Sequence, residues 1–214
     1  MRTQLTVLAL ATLAAPALAG VAYPFETDIM GWSIVSDGTG FMWDGTIGNN
    51  GLGAIRARDV VNGDIWLYSA PQADLGNMSG LYNSSISYDI LGITGNQGIG
   101  GGLADVILTG AGISIGINFG VQPVLGQWVS ASVLVSEAAD WKIVNSFANA
   151  TLSGTDATSA NIQSVLGDLD GLYIRGEYTN GGDATALDNV DFVPAPGALA
   201  LIGMGGIMIT RRRR

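Results

Sequence analysis

The chain has 214 residues with no cysteine and no histidine, so disulfide frameworks, thiol chemistry and imidazole-based catalysis or metal ligation are excluded. Its net charge of −9 hides an asymmetry: Arg2 and Arg211–Arg214 lie at the ends, leaving Arg56, Arg58, Lys142 and Arg175 against 18 acids, a net −14 for the middle. Such a domain repels nucleic acid and suits extracellular solubility.

Residues 1–19 read as a signal peptide. Arg2 supplies the positive start, Leu5–Ala15 the apolar stretch, and Ala17-Leu18-Ala19 the small-residue pattern before a cut ahead of Gly20. The body, residues 20–193, opens with Tyr23-Pro24-Phe25-Glu26, followed by short strand candidates at Ser33–Val35, Phe41–Ile47 and Ile55–Ala57 and a Gly-Asn loop over 48–53. Asp64–Ala70 places Trp66 and Tyr68 on one face and Ile65 and Leu67 on the other, the pattern of a strand buried on both sides.

Leu81–Leu91, Gly112–Phe119 and Gln127–Glu137 alternate apolar and small or polar residues, and Asp105–Thr109 (DVILT) is a further strand in the same run. Ile113, Ile115, Ile117 and Phe119 share a face, and so do Val129, Ala131, Val133 and Val135, opposed by serines. Period-2 alternation of this length predicts antiparallel strands with one solvated side. One helix interrupts: Thr158 or Ser159 caps it, and Ile162, Val165, Leu166 and Leu169 recur at helical spacing. Leu172–Tyr178, a glycine turn and Leu187–Phe192 complete the body. The predicted fold is all-β: an antiparallel β-sandwich of about ten strands, of jelly-roll type, with one short helix.

The end of the chain has a different character. Val193-Pro194-Ala195-Pro196-Gly197 leads into an apolar run that ends in four arginines. A helix of about 14 residues spans only ~21 Å, short of the ~30 Å hydrocarbon core. The tail, residues 194–214, resembles the PEP-CTERM sorting signal in a variant with Ala195 where the name motif has glutamate. The resemblance implies recognition by an exosortase-type processing enzyme, cleavage near the prolines, and delivery to the cell surface or extracellular matrix. Membrane contact would then be transient and made only through the tail; the competing reading is a permanent anchor.

The order of landmarks in the body also carries a resemblance. Asp64–Pro71 (DIWLYSAP), Ser87-Tyr88-Asp89, Asp105–Leu108, Trp128, Trp141, Leu172–Tyr178 (LYIRGEY) and Leu187–Val190 (LDNV) follow one another as in the laminin B (laminin domain IV) family. That resemblance covers roughly residues 25–192. It implies a jelly roll similar to carbohydrate-binding modules, with a structural or binding role. Classical members sit between cysteine-rich modules, which this chain lacks, so a basement-membrane role does not transfer.

Jelly-roll modules of this kind hold a structural calcium between the first strand and the last, and the resemblance makes Glu26 and Asp188 its ligands, with backbone carbonyls and Asn189 completing the shell. The alternative reading makes Glu26 a surface carboxylate and Asp188 a turn cap. Arg175 and Glu177, two apart in a strand, share a face with Tyr173; they form either a polar ligand patch or a cross-strand charge ladder. Trp43, beside Asp44 and loop glycines, is the best-exposed candidate for stacking on a sugar, whereas Trp66 and Trp128 read as core. Nothing marks two of the 18 carboxylates as an acid–base pair, and no histidine is present to activate a serine. The expectation is an exported, non-enzymatic β-sandwich with a binding or structural role in the matrix, meeting extracellular polysaccharide but not nucleic acid. The alternatives are a carbohydrate-binding module with a specific glycan and a jelly-roll glycan-active enzyme.

Overall fold

A computed structural model describes residues 20–61, 64–95, 102–144, 150–179 and 181–193. The signal segment 1–19 and the tail from Pro194 lie outside the described residues, and so do Pro194, Ala195, Pro196 and Gly197 of the sorting motif.

Twelve strands form among these residues: β1 (Ala22–Tyr23), β2 (Ser33–Val35), β3 (Thr39–Asp44), β4 (Ala54–Arg58), β5 (Leu67–Ser69), β6 (Ser85–Thr94), β7 (Val106–Gly110), β8 (Ile113–Ile117), β9 (Trp128–Leu134), β10 (Lys142–Ile143), β11 (Leu169–Arg175) and β12 (Ala184–Val193). Helix α1 (Ser159–Gly167) lies between β10 and β11. Sheet one runs β3-β4-β12-β6-β9, with β1 also paired to β12; sheet two runs β10-β8-β7-β11-β5-β2. Every pairing between these strands is antiparallel.

The chain crosses repeatedly from one sheet to the other, and the two inner faces enclose one core. Ile86, Tyr88 and Ile90 of β6, Val106 and Leu108 of β7, Ile115 and Ile117 of β8 and Leu172 and Ile174 of β11 all belong to it. So do Ala131 and Val133 of β9, as their alternation predicts. Helix α1 adds Ile162, Val165 and Leu166; Thr158 caps it, its hydroxyl accepting the Asn161 N–H, and Asn161 reciprocates.

The sequence expectations differ from the structure at strand ends and in three residue placements. Asp64–Ala70 contributes a strand only at Leu67–Ser69, yet both its faces are buried: Trp66 and Tyr68 in the main core, Ile65 and Leu67 in a satellite cluster on the outside of sheet two. β11 starts three residues earlier than Leu172 and stops at Arg175, so Glu177 lies beyond the strand. The charge ladder of Arg175 and Glu177 therefore does not exist; both side chains are buried. Trp128 lies half-buried on the outer face of sheet one, not in the core.

The turn that follows β11 is the tightest fit in the core. A Cβ on Gly176 would lie 2.0 Å from the Trp66 ring. Overpacking of this kind costs about 1–3 kcal/mol. Gly176→Ala is therefore expected to lower the unfolding midpoint by several degrees, at about 2–4 °C per kcal/mol for a domain of this size. Adding Trp66→Phe, which removes the encroaching ring atoms, should recover part of the loss that Gly176→Ala causes in the Trp66 background. Calorimetry of the four variants of that cycle measures it.

Candidate functional site

The outer face of sheet one carries two kinds of surface. Toward β4 and one end of β6, Ala54, Leu91 and Ala186 are covered by Ile47, Ile93 and Trp128. Beyond that apolar patch the face turns polar, because the alternation of β6, β9 and β12 brings Ser87, Asp89, Ser130, Ser132 and Asp188 outward in register: Asp89 opposite both Ser130 and Asp188, Ser87 opposite both Ser132 and Asp191.

The loop 45–53 lies across this face and is pinned at two points, and Trp43 fixes the strand end that leads into it. The Trp43 indole N–H donates to the Phe25 carbonyl at 2.7 Å, and the Trp128 indole N–H donates to the Ile47 carbonyl at 3.1 Å. Asn49 makes the second pin of the loop, after Ile47: its main-chain N–H donates to Asp188 Oδ2 at 2.8 Å, and its side-chain amide donates to Asp89 Oδ2 at 2.8 Å. The glycines let the loop fold this closely. A Cβ at Gly45 or Gly53 would fall 2.6 or 2.5 Å from the Trp43 ring, and one at Gly48 would meet the Gly53 backbone.

Asp89 is the hub of the polar network. Besides Asn49, the Asn189 amide donates to its Oδ2 at 2.8 Å and the Ser130 hydroxyl to its Oδ1 at 2.5 Å. Asn189 reaches it because the ladder between β12 and β6 breaks at a bulge between Asp188 and Asp191, where Asn189 takes φ +50°. Asp188 beside it is fully buried and accepts the Asn189 N–H at 2.8 Å through Oδ1. Burial raises its pKa above the usual carboxylate range; the Asn49 and Asn189 amides lower it, and Asp89 and Glu26 raise it again.

Of the residues predicted from sequence, Glu26 and Asp188 are thus placed near enough to feel one another's charge. Glu26 is exposed, following Phe25 at φ +47°, and Asp188 is buried. An oxygen-rich, cation-poor setting fits a hard cation such as calcium, which accepts carbonyls, amide oxygens and water alongside carboxylates. No three His, Cys, Asp or Glu side chains among the described residues make a ready cage, so amide and carbonyl oxygens would have to complete the shell. Trp43 is half-buried, not open: its edge packs on the core and its N–H holds Phe25, which sets where Glu26 stands. Sequence reading missed Asp89, Asn49 and Ser130; the signal available was the polar phase of two alternating strands together with a glycine-rich loop containing Asn-Asn.

The bulge and the β1 edge leave a groove of about 450 Å³ across β1, β12, β6 and β9, lined among others by Ser87, Asp89, Ser130, Ser132, Asn189 and Asp191. A second depression on the other side of β9, walled by Phe119–Gln122, shares Ser130–Ser132 with it. Hydroxyls, carboxylates and an amide on a groove this size are the groups that recognise polyhydroxylated ligands. The corresponding outer face of sheet two is closed over β7 and β8 by Leu103, Ala104, Ala150 and Leu152; Gly116 lies directly beneath them.

The family profile described as Laminin B (Domain IV) matches residues 67–199. The chain belongs to the laminin B family. Among solved structures, the L4b domain of human laminin α2 aligns with a TM-score of 0.50 at 16% identity, over 62% of this chain and 71% of that one. A family 11 carbohydrate-binding module from Clostridium thermocellum, in complex with a β-1,3-1,4-mixed-linked tetrasaccharide, aligns with a TM-score of 0.51 at 14% identity, over 84% of this chain and 98% of that one. An exo-β-agarase aligns at 0.51 and 10% identity over 81% of this chain, which spans 24% of that protein. No curated protein matches the chain. At these identities the structural likeness shows the fold: the laminin B domain here is an all-β jelly-roll sandwich. Asp89, Asp188 and Asn189 fall inside the matched span, and Glu26, Trp43 and Asn49 before it.

A second polar centre lies where β11 leads into β12. Burial, with Asp183, Asp59 and Asp37 nearby, pushes Glu177 up to about 8 although it accepts the Trp66 N–H, and burial with Asp59 pushes Asp183 up to about 6. A carboxyl that binds its proton more tightly when folded favours the folded state at low pH, and that contribution is lost as pH rises from the unfolded value near ~4.3 to the folded one. In chelator, the unfolding midpoint of this laminin B domain should fall between pH 5 and pH 8, and Glu177→Gln should flatten the upper part of that fall. Thermal melts by circular dichroism across the range check it.

Proposed function

We propose that this laminin B domain is an exported, non-enzymatic binding module for neutral extracellular polysaccharide, and that the groove over Ser87, Ser130 and Ser132 is its ligand face. The observation that carries the reading is the contrast between the two outer faces: one is sealed by an apolar satellite cluster over β7 and β8, the other is open, grooved and lined with hydrogen-bonding side chains. The excess of acid over base in the domain disfavours acidic glycans, which leaves neutral ones. Membership of the laminin B family and likeness to a carbohydrate-binding module in fold support the same class of function. In this reading the N-terminal signal exports the chain, and an exosortase-type enzyme processes the Val193–Gly197 region and delivers the domain to the cell surface or matrix.

Calcium held at Glu26 and Asp188 would fix the Phe25–Glu26 turn and the 45–53 loop beside the groove. It would act as a structural ion with no part in chemistry. Calcium at ~100 times its dissociation constant is then expected to add about 2.7 kcal/mol to stability, and Glu26→Gln to reduce that gain, as read by thermal unfolding with and without chelator.

The binding test uses the mixed-linkage β-glucan seen with the structural relative as its first probe, then a panel of other neutral polysaccharides. Affinity electrophoresis should show saturable retardation, abolished by Ser132→Trp, which fills the groove from an exposed position. A variant that keeps the wild-type midpoint and loses retardation supports the assignment. Retardation untouched by Ser132→Trp would move the ligand elsewhere, and no retardation on any neutral polysaccharide would reject it.

A further inference from the structure

Three connections meet at the corner where β12 begins, and each brings acids. Asp37 sits in the turn between β2 and β3, Asp59 and Asp64 in the connection from β4 to β5, and Glu177 and Asp183 in the connection from β11 to β12. Asp59, Glu177 and Asp183 are 2%, 3% and 1% exposed. Asp37 is half-buried and Asp64 exposed, so the cluster opens to solvent past these two.

The donors at this corner are main-chain and indole N–H groups, and they do not suffice. Asp183 accepts the Tyr178 N–H at 2.8 Å and the Trp66 indole N–H at 3.4 Å. Glu177 accepts the Trp66 main-chain N–H at 3.4 Å, and Asp59 accepts the Val61 N–H at 2.8 Å through Oδ1. Asp59 Oδ2 and Asp37 Oδ1 are buried with no hydrogen-bond partner. The ion pairs found among the described residues use Asp44, Asp105, Asp140 and Asp156, none of the five acids here. A buried carboxylate oxygen left without donor or cation is costly. The Asp59 main-chain N–H donates to the Asp183 carbonyl at 2.9 Å, and its carboxylate bears on Asp37, Glu177 and Asp183, so it lies among like charges.

We infer that this corner is a calcium site, with Asp59 Oδ2 and Asp37 Oδ1 as ligands and Glu177 and Asp183 supplying the surrounding negative charge. Carboxylate oxygens with no nitrogen or sulfur ligand in reach select a hard cation, and calcium completes six to eight oxygens with main-chain carbonyls and water. Two direct carboxylates are consistent with the lack of a closed three-acid cage among the described residues. The site is separate from Glu26 and Asp188: Asp183, just before β12, and Asp188 within it are five residues apart, roughly 17 Å along an extended chain.

The test uses the full chain carrying Glu26→Gln, so that the other candidate site does not report. After chelation at pH 8, terbium is added as a calcium analogue and excited through the indoles, Trp66 being in contact with the cluster; calcium then competes. Saturable luminescence, displaced by calcium and accompanied by a rise in unfolding midpoint, is the expected result, and Asp59→Asn should abolish both. Should Asp59→Asn fail to fold, Asp37→Asn on the half-exposed rim should weaken terbium affinity at least tenfold with the fold intact. Luminescence that survives both substitutions overturns the assignment. So does the absence of any terbium or calcium response, since the excess charge would then be relieved by protons alone.

Discussion

Six carboxylates are buried in this domain, Asp59, Asp89, Asp105, Glu177, Asp183 and Asp188, and Arg175 is the one buried base among the described residues. Moving a carboxylate out of water is costly unless donors surround it, so the loops are shaped by where N–H groups must go. Asp105 gathers the N–H groups of Phe119, Gly120 and Val121 and lies 3.9 Å from the Arg175 guanidinium, which stacks over Tyr178. Asp188 and Asp89 draw the 45–53 loop onto sheet one through Asn49. Asp183 ties Tyr178 and Trp66 together. At the corner of Asp37 and Asp59 the supply of donors falls short, and one oxygen of each carboxylate is buried without one.

What the sequence made legible is what depends on side-chain phase. The alternation in β6, β8 and β9, the two-sided burial around Trp66 and the Thr158 cap are local, and local rules decide them. What it hid depends on pairing between distant segments. β1 and β10 are two residues each and exist only as ladder partners of β12 and β8. Glu177 looked like a strand residue because Leu172–Tyr178 alternates, but the chain leaves the ladder after Arg175, and Gly176 turns it against Trp66. The carboxylate Asp188 could be named in advance, since the Leu-Asp-Asn-Val element marked it. Its partners Asn49 and Asp89 lie 139 and 99 positions away along the chain, and no spacing rule reaches that far. Trp43 was legible as a special residue but not in its role: its indole N–H is spent on Phe25, inside the protein.

The two sheets have diverged in what their outer faces do. Sheet two has grown a second small apolar cluster, in which Ile65, Leu67 and Ile107 are covered by Ala104 and Ala150. Sheet one has a smaller apolar patch over Ala54, Leu91 and Ala186, but beside it keeps its serines and acids outward under a loop held by glycines and amides. The fold shared with carbohydrate-binding modules therefore leaves one outer face grooved and polar, and the apolar cluster gives the other face a structural task.

The strand that completes sheet one is also the last to be made. β12 sits between β4 and β6, pairs with β1 at its far end, and carries Asp188, with Asp183 just before its first residue. Until it arrives, β4 and β6 are open edges, and the Asn49 loop has no carboxylate at 188 to bind. Three of the ten strand pairings among the described residues thus wait for the end of the body, the situation that slows folding when contacts are distant in sequence. An unfinished copy would be a set of exposed strand edges. Under the export proposed above, that order works in the chain's favour: the segment that locks the sandwich would emerge only when the rest is already on the other side.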